Sequence, residues 1–392
     1  MTRRTLFVSY APKTILNKSK RPNHWFWTRY SVYPYIGCQH GCEFCYCRER
    51  KYSPYDNPED FAHVIKIKAN APVLLRRALI RSPVDLIFTG DYQPAERKFG
   101  LSRRILEICL ELGFPVFILE RSPLVLRDLD LIQQIHQRAR AVVAFSAIYT
   151  PESAEYAHLR QIERLAPPPE KRFQAMEQLA KAGIPTGICM MPILPRLCDT
   201  PENIEAVIRW TAEHGGSFVL ASGLTLADQQ RDYFFKFLRE SLPGFLSDYE
   251  RLFPIGSYSS STEDWRNVPL LVREQCERHR IADRMPRPII PGDKRALNKL
   301  IVEKLANQVY TMEIQSESQQ QVWAYRKAAW AIEDLEQDIG LVYRKMGVQS
   351  LRSIPAVGSS LAGVIEKILL ELDLATIQFD DSSVNTKVNR TG

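Results

Sequence analysis

Tyr35-Ile36-Gly37-Cys38-Gln39-His40-Gly41-Cys42-Glu43-Phe44-Cys45-Tyr46 places three cysteines at the spacing C-x3-C-x2-C. Thiolates this close in sequence can occupy three corners of one metal cluster. A structural zinc site is closed by four protein ligands, and a 4Fe–4S cluster normally takes four cysteines. Three cysteines therefore leave one iron open to another ligand. A zinc loop completed by His40 or Cys47, or plain reduced thiols, are the competing readings. An extended Cys45-Tyr46-Cys47 would turn the Cys47 side chain to the opposite face. Cys109, Cys189, Cys198 and Cys276 lack paired spacing, so neither a second cluster nor a disulfide framework is indicated.

Outward from this loop, apolar β-rich runs alternate with amphipathic stretches. Strands are expected at Tyr30–Ile36, Val84–Gly90, Pro115–Arg121, Ala141–Ile148, Pro185–Ile193 and Ser217–Ser222. Helical patterns lie near 71–81, 101–112, 125–138, 170–182 and 201–214. Gly113 and Gly183 each follow a helical run and stand just before a proline-started strand, a stop signal. This rhythm means parallel βαβ units and an α/β fold, an incomplete (β/α)6 barrel. Chemistry in such barrels gathers at the C-terminal ends of the strands, and the cysteine loop directly follows the first of them.

The loop resembles the cluster-binding motif of the radical SAM superfamily, C-x3-C-x-aromatic-C, with Phe44 as the aromatic residue and Gly37 and Gly41 also matching. The resemblance implies a 4Fe–4S cluster on Cys38, Cys42 and Cys45 whose open iron chelates S-adenosylmethionine. It also implies reductive cleavage to a 5′-deoxyadenosyl radical that abstracts hydrogen from a substrate. At the other strand ends, Gly90 then permits close approach and Asp91 accepts from the S-adenosylmethionine ammonium. Arg121 holds its carboxylate, and Ser146 bonds to ribose or carboxylate. Met190-Met191-Pro192-Ile193-Leu194-Pro195 supplies an apolar wall.

Thr89-Gly90-Asp91-Tyr92-Gln93-Pro94, Ser122-Pro123-Leu124-Val125-Leu126-Arg127-Asp128-Leu129-Asp130-Leu131 and Ala182-Gly183-Ile184-Pro185 look like the spore photoproduct lyase-like branch, over roughly residues 10–300. Enzymes of that branch repair a thymine dimer. In the lyase, a cysteine that returns hydrogen precedes a Thr-Ser-Asp at the end of strand two. The matching residue here is Phe88, with Gly90 in place of the serine, which sets the chain apart from a strict lyase. Tyr92 or Cys189 could play the missing part. Arg121 stands where a lysine is usual, keeping the charge but changing its geometry.

The 392 residues, 45% hydrophobic and 25% charged, suit two or three domains with a sizeable core. No apolar run of membrane length and no signal-peptide stretch is present, so a soluble, cytoplasmic protein without membrane association is expected. The net charge of +7 is uneven. Residues 1–42 hold Arg3, Arg4, Lys13, Lys18, Lys20, Arg21 and Arg29 and no acid, interleaved with His24-Trp25-Phe26-Trp27-Thr28-Arg29-Tyr30. Such an arm suits a nucleic-acid strand, or else packs its aromatics on the barrel.

The expected divisions are an arm at 1–29, the partial barrel at 30–255, a linker and helical extension at 256–310, a helical module at 311–375 and a disordered tail at 376–392. Val322–Leu335 resembles the N-terminal helical domain of family X DNA polymerases. Leu351-Arg352-Ser353-Ile354-Pro355-Ala356-Val357-Gly358-Ser359-Ser360-Leu361-Ala362 resembles a helix-hairpin-helix, whose tight turn aims backbone N–H groups at a phosphate. Ala356 occupies a usual glycine position, so it should be strained, and Ser359 replaces a commonly basic residue. A small bundle for packing or protein contact is the plainer reading. Together these features favour a radical SAM enzyme acting on nucleic acid, in DNA repair or base modification, with flavodoxin or ferredoxin as electron donor. The alternatives are a radical SAM enzyme on a peptide, protein or small molecule, and a non-enzymatic iron–sulfur protein that binds nucleic acid.

Overall fold

The computed structural model, which describes residues 4–260, 265 and 267–384, gathers the alternating pattern into one large sheet. Its strands are β1 (Leu6–Tyr10), β2 (Leu16–Lys18), β3 (Tyr30–Val32), β4 (Tyr35–Ile36), β5 (Val64–Lys68), β6 (Ile87–Gly90), β7 (Val116–Glu120), β8 (Ala141–Ser146), β9 (Thr186–Ile193) and β10 (Phe218–Gly223). The large sheet runs β10-β9-β8-β7-β6-β3-β2. Every neighbour is parallel except the edge pair β2–β3. β10 and β2 are the two edges, so six parallel strands form an open α/β sheet rather than a closed barrel.

Helices Ala71–Leu79, Leu101–Leu112, Leu129–Arg138, Pro169–Lys181 and Pro201–Glu213 lie between the strands. Ile105, Leu106 and Cys109 of the second are buried, a spacing that puts one apolar stripe against the sheet. All of β8 is buried, as its continuous apolar run requires.

The strand expected over Tyr30–Ile36 is divided. Pro34 lacks the N–H a ladder needs. After it the chain leaves the large sheet, and Tyr35 and Ile36 pair with Ile67 and Lys66 of β5. β1, β5 and β4 form a separate three-stranded sheet. The cysteine loop thus follows β4, not the first strand of the large sheet. Residues 1–29 are likewise built in: β1 pairs with β5, and β2 with β3.

The chain divides into two compact units, residues 1–288 and 289–392. In the second, Ala296–Ile314 runs through the division expected at 310/311 and Val322 of Gln319–Glu333 packs with its Val309 and Met312. Asn298 bonds to the Gln337 carbonyl at 3.0 Å and accepts from the Ile339 N–H at 2.8 Å, fixing the entry to Ile339–Met346. Leu351–Ala362 spans the end of the short helix Val348–Leu351, a turn, and the start of Ser359–Val384. That last helix reaches into the region read as a tail, and residues 385–392 lie outside the described residues.

Ala356 has φ +63°, the left-handed conformation anticipated for its position. A side chain there costs about 1–2 kcal/mol, partly offset by the unfolded-state entropy that glycine adds. Ala356→Gly should therefore stabilise the chain by about 0.5–1 kcal/mol in denaturant melts. A loss of stability would show that the turn tolerates its methyl group without strain. No helix among the described residues is long and apolar enough to cross a membrane.

Candidate metal and cofactor site

The cysteine loop is pinned by its backbone. Cys38 N–H donates to the Phe61 carbonyl at 2.8 Å, and Gly41 and Cys45 N–H groups close turns onto Cys38 and Cys42. Gly37 has φ +83°, and a Cβ there would lie 2.6 Å from the Val64 carbonyl oxygen. Only glycine fits so close to β5. Arg48 is fully buried beneath the loop. Its guanidinium donates to the carbonyls of Cys42 (3.4 Å), Gly41 (3.2 Å) and Pro58 (2.5 Å) and stacks 4.0 Å from the Tyr233 centroid. Gln93 clasps the loop from the turn after β6: its amide donates to the Gly37 carbonyl and accepts from Gln39 N–H, each at 3.0 Å, on either side of Cys38.

Burial and the neighbouring Cys42 and Cys45 push the Cys38 thiol upward. Burial raises Cys42 to about 11 against the lowering effect of Arg121. A hydrogen bond from Cys47 lowers Cys45 to about 6, with Arg48 and Arg121 assisting against burial. Cys47 is therefore not turned away. Tyr46–Arg48 forms a 3-10 turn instead of an extended segment and brings its thiol back to Cys45.

No group of three or more His, Cys, Asp or Glu among the described residues converges on a single-ion site. A cluster asks for something different, since each thiolate binds its own iron and the sulfurs stand apart. The pinned loop, the soft donor set and the cationic clamp on its carbonyls fit such a group.

Asp91, at φ +73°, follows Gly90 at the end of β6. Its Oδ2 is buried with no hydrogen-bond partner. Burial raises its carboxyl to about 7, with Lys68 pulling the other way. Glu120, which the sequence reading passed over, braces this turn: it accepts from Tyr92 N–H at 2.9 Å and Arg121 N–H at 3.3 Å. A Cβ on Gly90 would meet Glu120 Oε1 at 2.6 Å, so the glycine makes room for that carboxylate. Arg121 is bound to the buried Glu163, which also pairs with Arg172 at 2.5 Å, and its guanidinium stacks 5.2 Å from the Phe44 centroid.

A cavity of about 490 Å³ adjoins the loop. Phe44, Ser146, Met191 and Pro192 line it on one side, and Lys18, Phe26 and Arg29 of the first 29 residues contribute another wall. Ser146 Oγ donates to the Met191 carbonyl at 3.3 Å. Phe88 also lines the cavity, packed on Phe26 and Phe117. Gly90, Asp91 and Arg121 lie outside its lining, beside the loop. Tyr92 and Cys189 are buried elsewhere, and the Tyr92 hydroxyl donates to Asp128 at 2.9 Å. The basic stretch packs part of its aromatic set into the fold and turns two of its cations to the cavity. Trp27 is buried, its indole N–H bonded to the Met285 carbonyl, while Lys18 and Arg29 face the cavity.

Over 275 residues the chain is 30% identical to the uncharacterized protein Rv2578c of Mycobacterium tuberculosis, a match covering 68% of this chain and 76% of that protein. The chain belongs to the Rv2578c family. The uncharacterized protein MJ0683 of Methanocaldococcus jannaschii is 30% identical over 196 residues, 49% of this chain and 69% of its own. No family model matches. Among solved structures, a spore photoproduct lyase variant superposes with a TM-score of 0.52 at 15% identity, over 70% of this chain and 79% of that one. Another variant of that lyase, with bound AdoMet and dinucleoside spore photoproduct, gives 0.50 at 13% identity over the same shares. The Rv2578c-family chain therefore has the fold of radical SAM enzymes. Arg48, Gln93 and Glu120 were missed because each acts on backbone groups, which leaves no spacing signature.

Proposed function

We propose that this chain is a radical SAM enzyme acting on nucleic acid, in DNA repair or base modification. One observation carries the reading: Phe44 of the cysteine loop and Ser146 open onto the same cavity as Lys18, Phe26 and Arg29. Among the described residues, Lys18 and Arg29 are the charged residues in the cavity wall, Arg29 lying 3.8 Å from Asp85, and no carboxylate belongs to that wall. An anionic ligand with aromatic rings suits such a wall. The lyase solved with a dinucleoside photoproduct adds support from the shared fold.

Cys38, Cys42 and Cys45 would hold the cluster, which when bound supplies reductive cleavage of S-adenosylmethionine to a 5′-deoxyadenosyl radical. Asp91 offers its unpartnered oxygen to the ammonium of that cosubstrate. Ser146 offers a hydroxyl to its ribose or carboxylate, and Met191 and Pro192 exclude water. Arg121, neutralised in part by Glu163, balances thiolate charge at the loop and stacks on Phe44. The hairpin at 351–362 would hold phosphates through backbone N–H groups, and a flavodoxin or ferredoxin would deliver the electron.

The Asp91 assignment predicts a pH profile. An ammonium partner needs the carboxylate ionised, and its carboxyl sits at about 7 in the ligand-free protein. S-adenosylmethionine affinity should therefore fall as pH drops below 7, with uptake of ligand releasing a proton. Asp91→Asn should weaken binding by about tenfold or more, the worth of a charge-assisted bond, and should abolish that acid limb. Calorimetric titration of the reconstituted protein measures both. An acid limb that survives in the variant removes Asp91 from the site.

A further inference from the structure

Tyr46, Tyr52 and Tyr258 are 52%, 49% and 50% exposed, in a chain that leaves few of its described large aromatics exposed. They belong to one surface. The Tyr46 and Tyr52 rings meet edge to face at 5.3 Å. Lys51 Nζ stands 4.8 Å from the Tyr52 centroid and 5.5 Å from that of Tyr258. Buried Glu49 holds the Lys51 ammonium at 2.7 Å. Backbone bonds fix the platform: Tyr52 N–H to the Glu49 carbonyl, and Leu226 N–H to the Tyr258 carbonyl at 2.8 Å. The surface is continuous with the cavity, because Tyr46 lines it directly and Thr225, which pairs with Ser259, lines it too.

We infer that Tyr52, Tyr258 and Lys51 form a docking platform for unpaired nucleotides at the edge of the cavity. This rests on the nucleic-acid reading above and names the form of the substrate. Half-exposed rings offer π-faces to any base, and a base presents its own face only when it is unstacked. Exposed Arg50 and Lys18 of the cavity wall complement a phosphate backbone, while Lys51 and Arg29 are paired with Glu49 and Asp85. A duplex hides its base faces and would use the cations alone.

The test is fluorescence anisotropy of the full chain with a labelled oligothymidylate and with a duplex. Tyr52→Ala/Tyr258→Ala should lose single-strand affinity by about tenfold or more while duplex affinity moves less than about twofold. Tyr52→Phe/Tyr258→Phe should keep both. A 5-iodouracil-substituted strand should photocrosslink to Tyr52 or Tyr258. Unchanged single-strand affinity in the alanine variant, or an equal loss on duplex, overturns the platform and leaves the nucleic-acid reading intact. An intact chain that binds neither strand at low salt overturns both. An acidic peptide that binds more tightly than the strand and loses affinity in the alanine variant would assign the platform to a protein partner instead.

Discussion

Cys38→Ala, Cys42→Ala and Cys45→Ala should each abolish the iron–sulfur absorbance at about 400 nm after anaerobic reconstitution. The loop provides three thiolates at C-x3-C-x2-C and holds each by a different backbone constraint, so the loss of one leaves a cluster with two protein ligands. Cys47→Ala is the informative contrast. Cys47 falls outside the C-x3-C-x2-C pattern, which already provides three thiolates, so the variant should retain the cluster. Full absorbance in any of the three single variants would mean that the ligand set is wrong.

Arg48→Met should be nearly as damaging, although this residue is not one of the three cysteine ligands. The guanidinium is buried and saturates the carbonyls of Gly41, Cys42 and Pro58. Methionine keeps much of the volume, leaves the buried Gly41 carbonyl without a donor and strips one of two donors from the carbonyls of Cys42 and Pro58. Charge-assisted bonds and the desolvated groups left behind put the expected loss at about 3 kcal/mol or more. Two of these carbonyls lie in the middle of the cysteine loop, so iron content after reconstitution should fall together with the denaturant midpoint. Stability and iron content both equal to wild type would show that the loop does not depend on this clamp.

Sequence pattern reached the large sheet well, because strands buried on both faces and helices with one apolar stripe leave strong periodic signals. The helix at 101–112 and the strand ends at Gly90 and Ile193 fall where the pattern put them, and β8 ends at Ser146, two residues short of the expected Ile148. The small sheet was not legible. β4 is only two residues long, and β5, Val64-Ile65-Lys66-Ile67-Lys68, alternates apolar and basic residues in a way that reads as surface. Its partner β1, Leu6–Tyr10, is a single short run without clear apolar alternation inside a stretch dominated by positive charge. Within the site, ligand types were visible because spacing encodes them. The groups that position them were not: Arg48, Gln93 and Glu120 act across sequence separations that only the tertiary fold brings together. The Tyr52–Tyr258 surface joins residues from distant segments for the same reason.

The central claim is that this chain generates a substrate-directed radical from S-adenosylmethionine on nucleic acid. The most direct measurement is anaerobic turnover of the reconstituted, reduced protein with deuterated oligonucleotides, followed by mass spectrometry of the nucleoside products. The account predicts 5′-deoxyadenosine carrying deuterium from the oligonucleotide. A fully loaded protein that forms no 5′-deoxyadenosine, or forms it unlabelled with every deuterated strand, would contradict it.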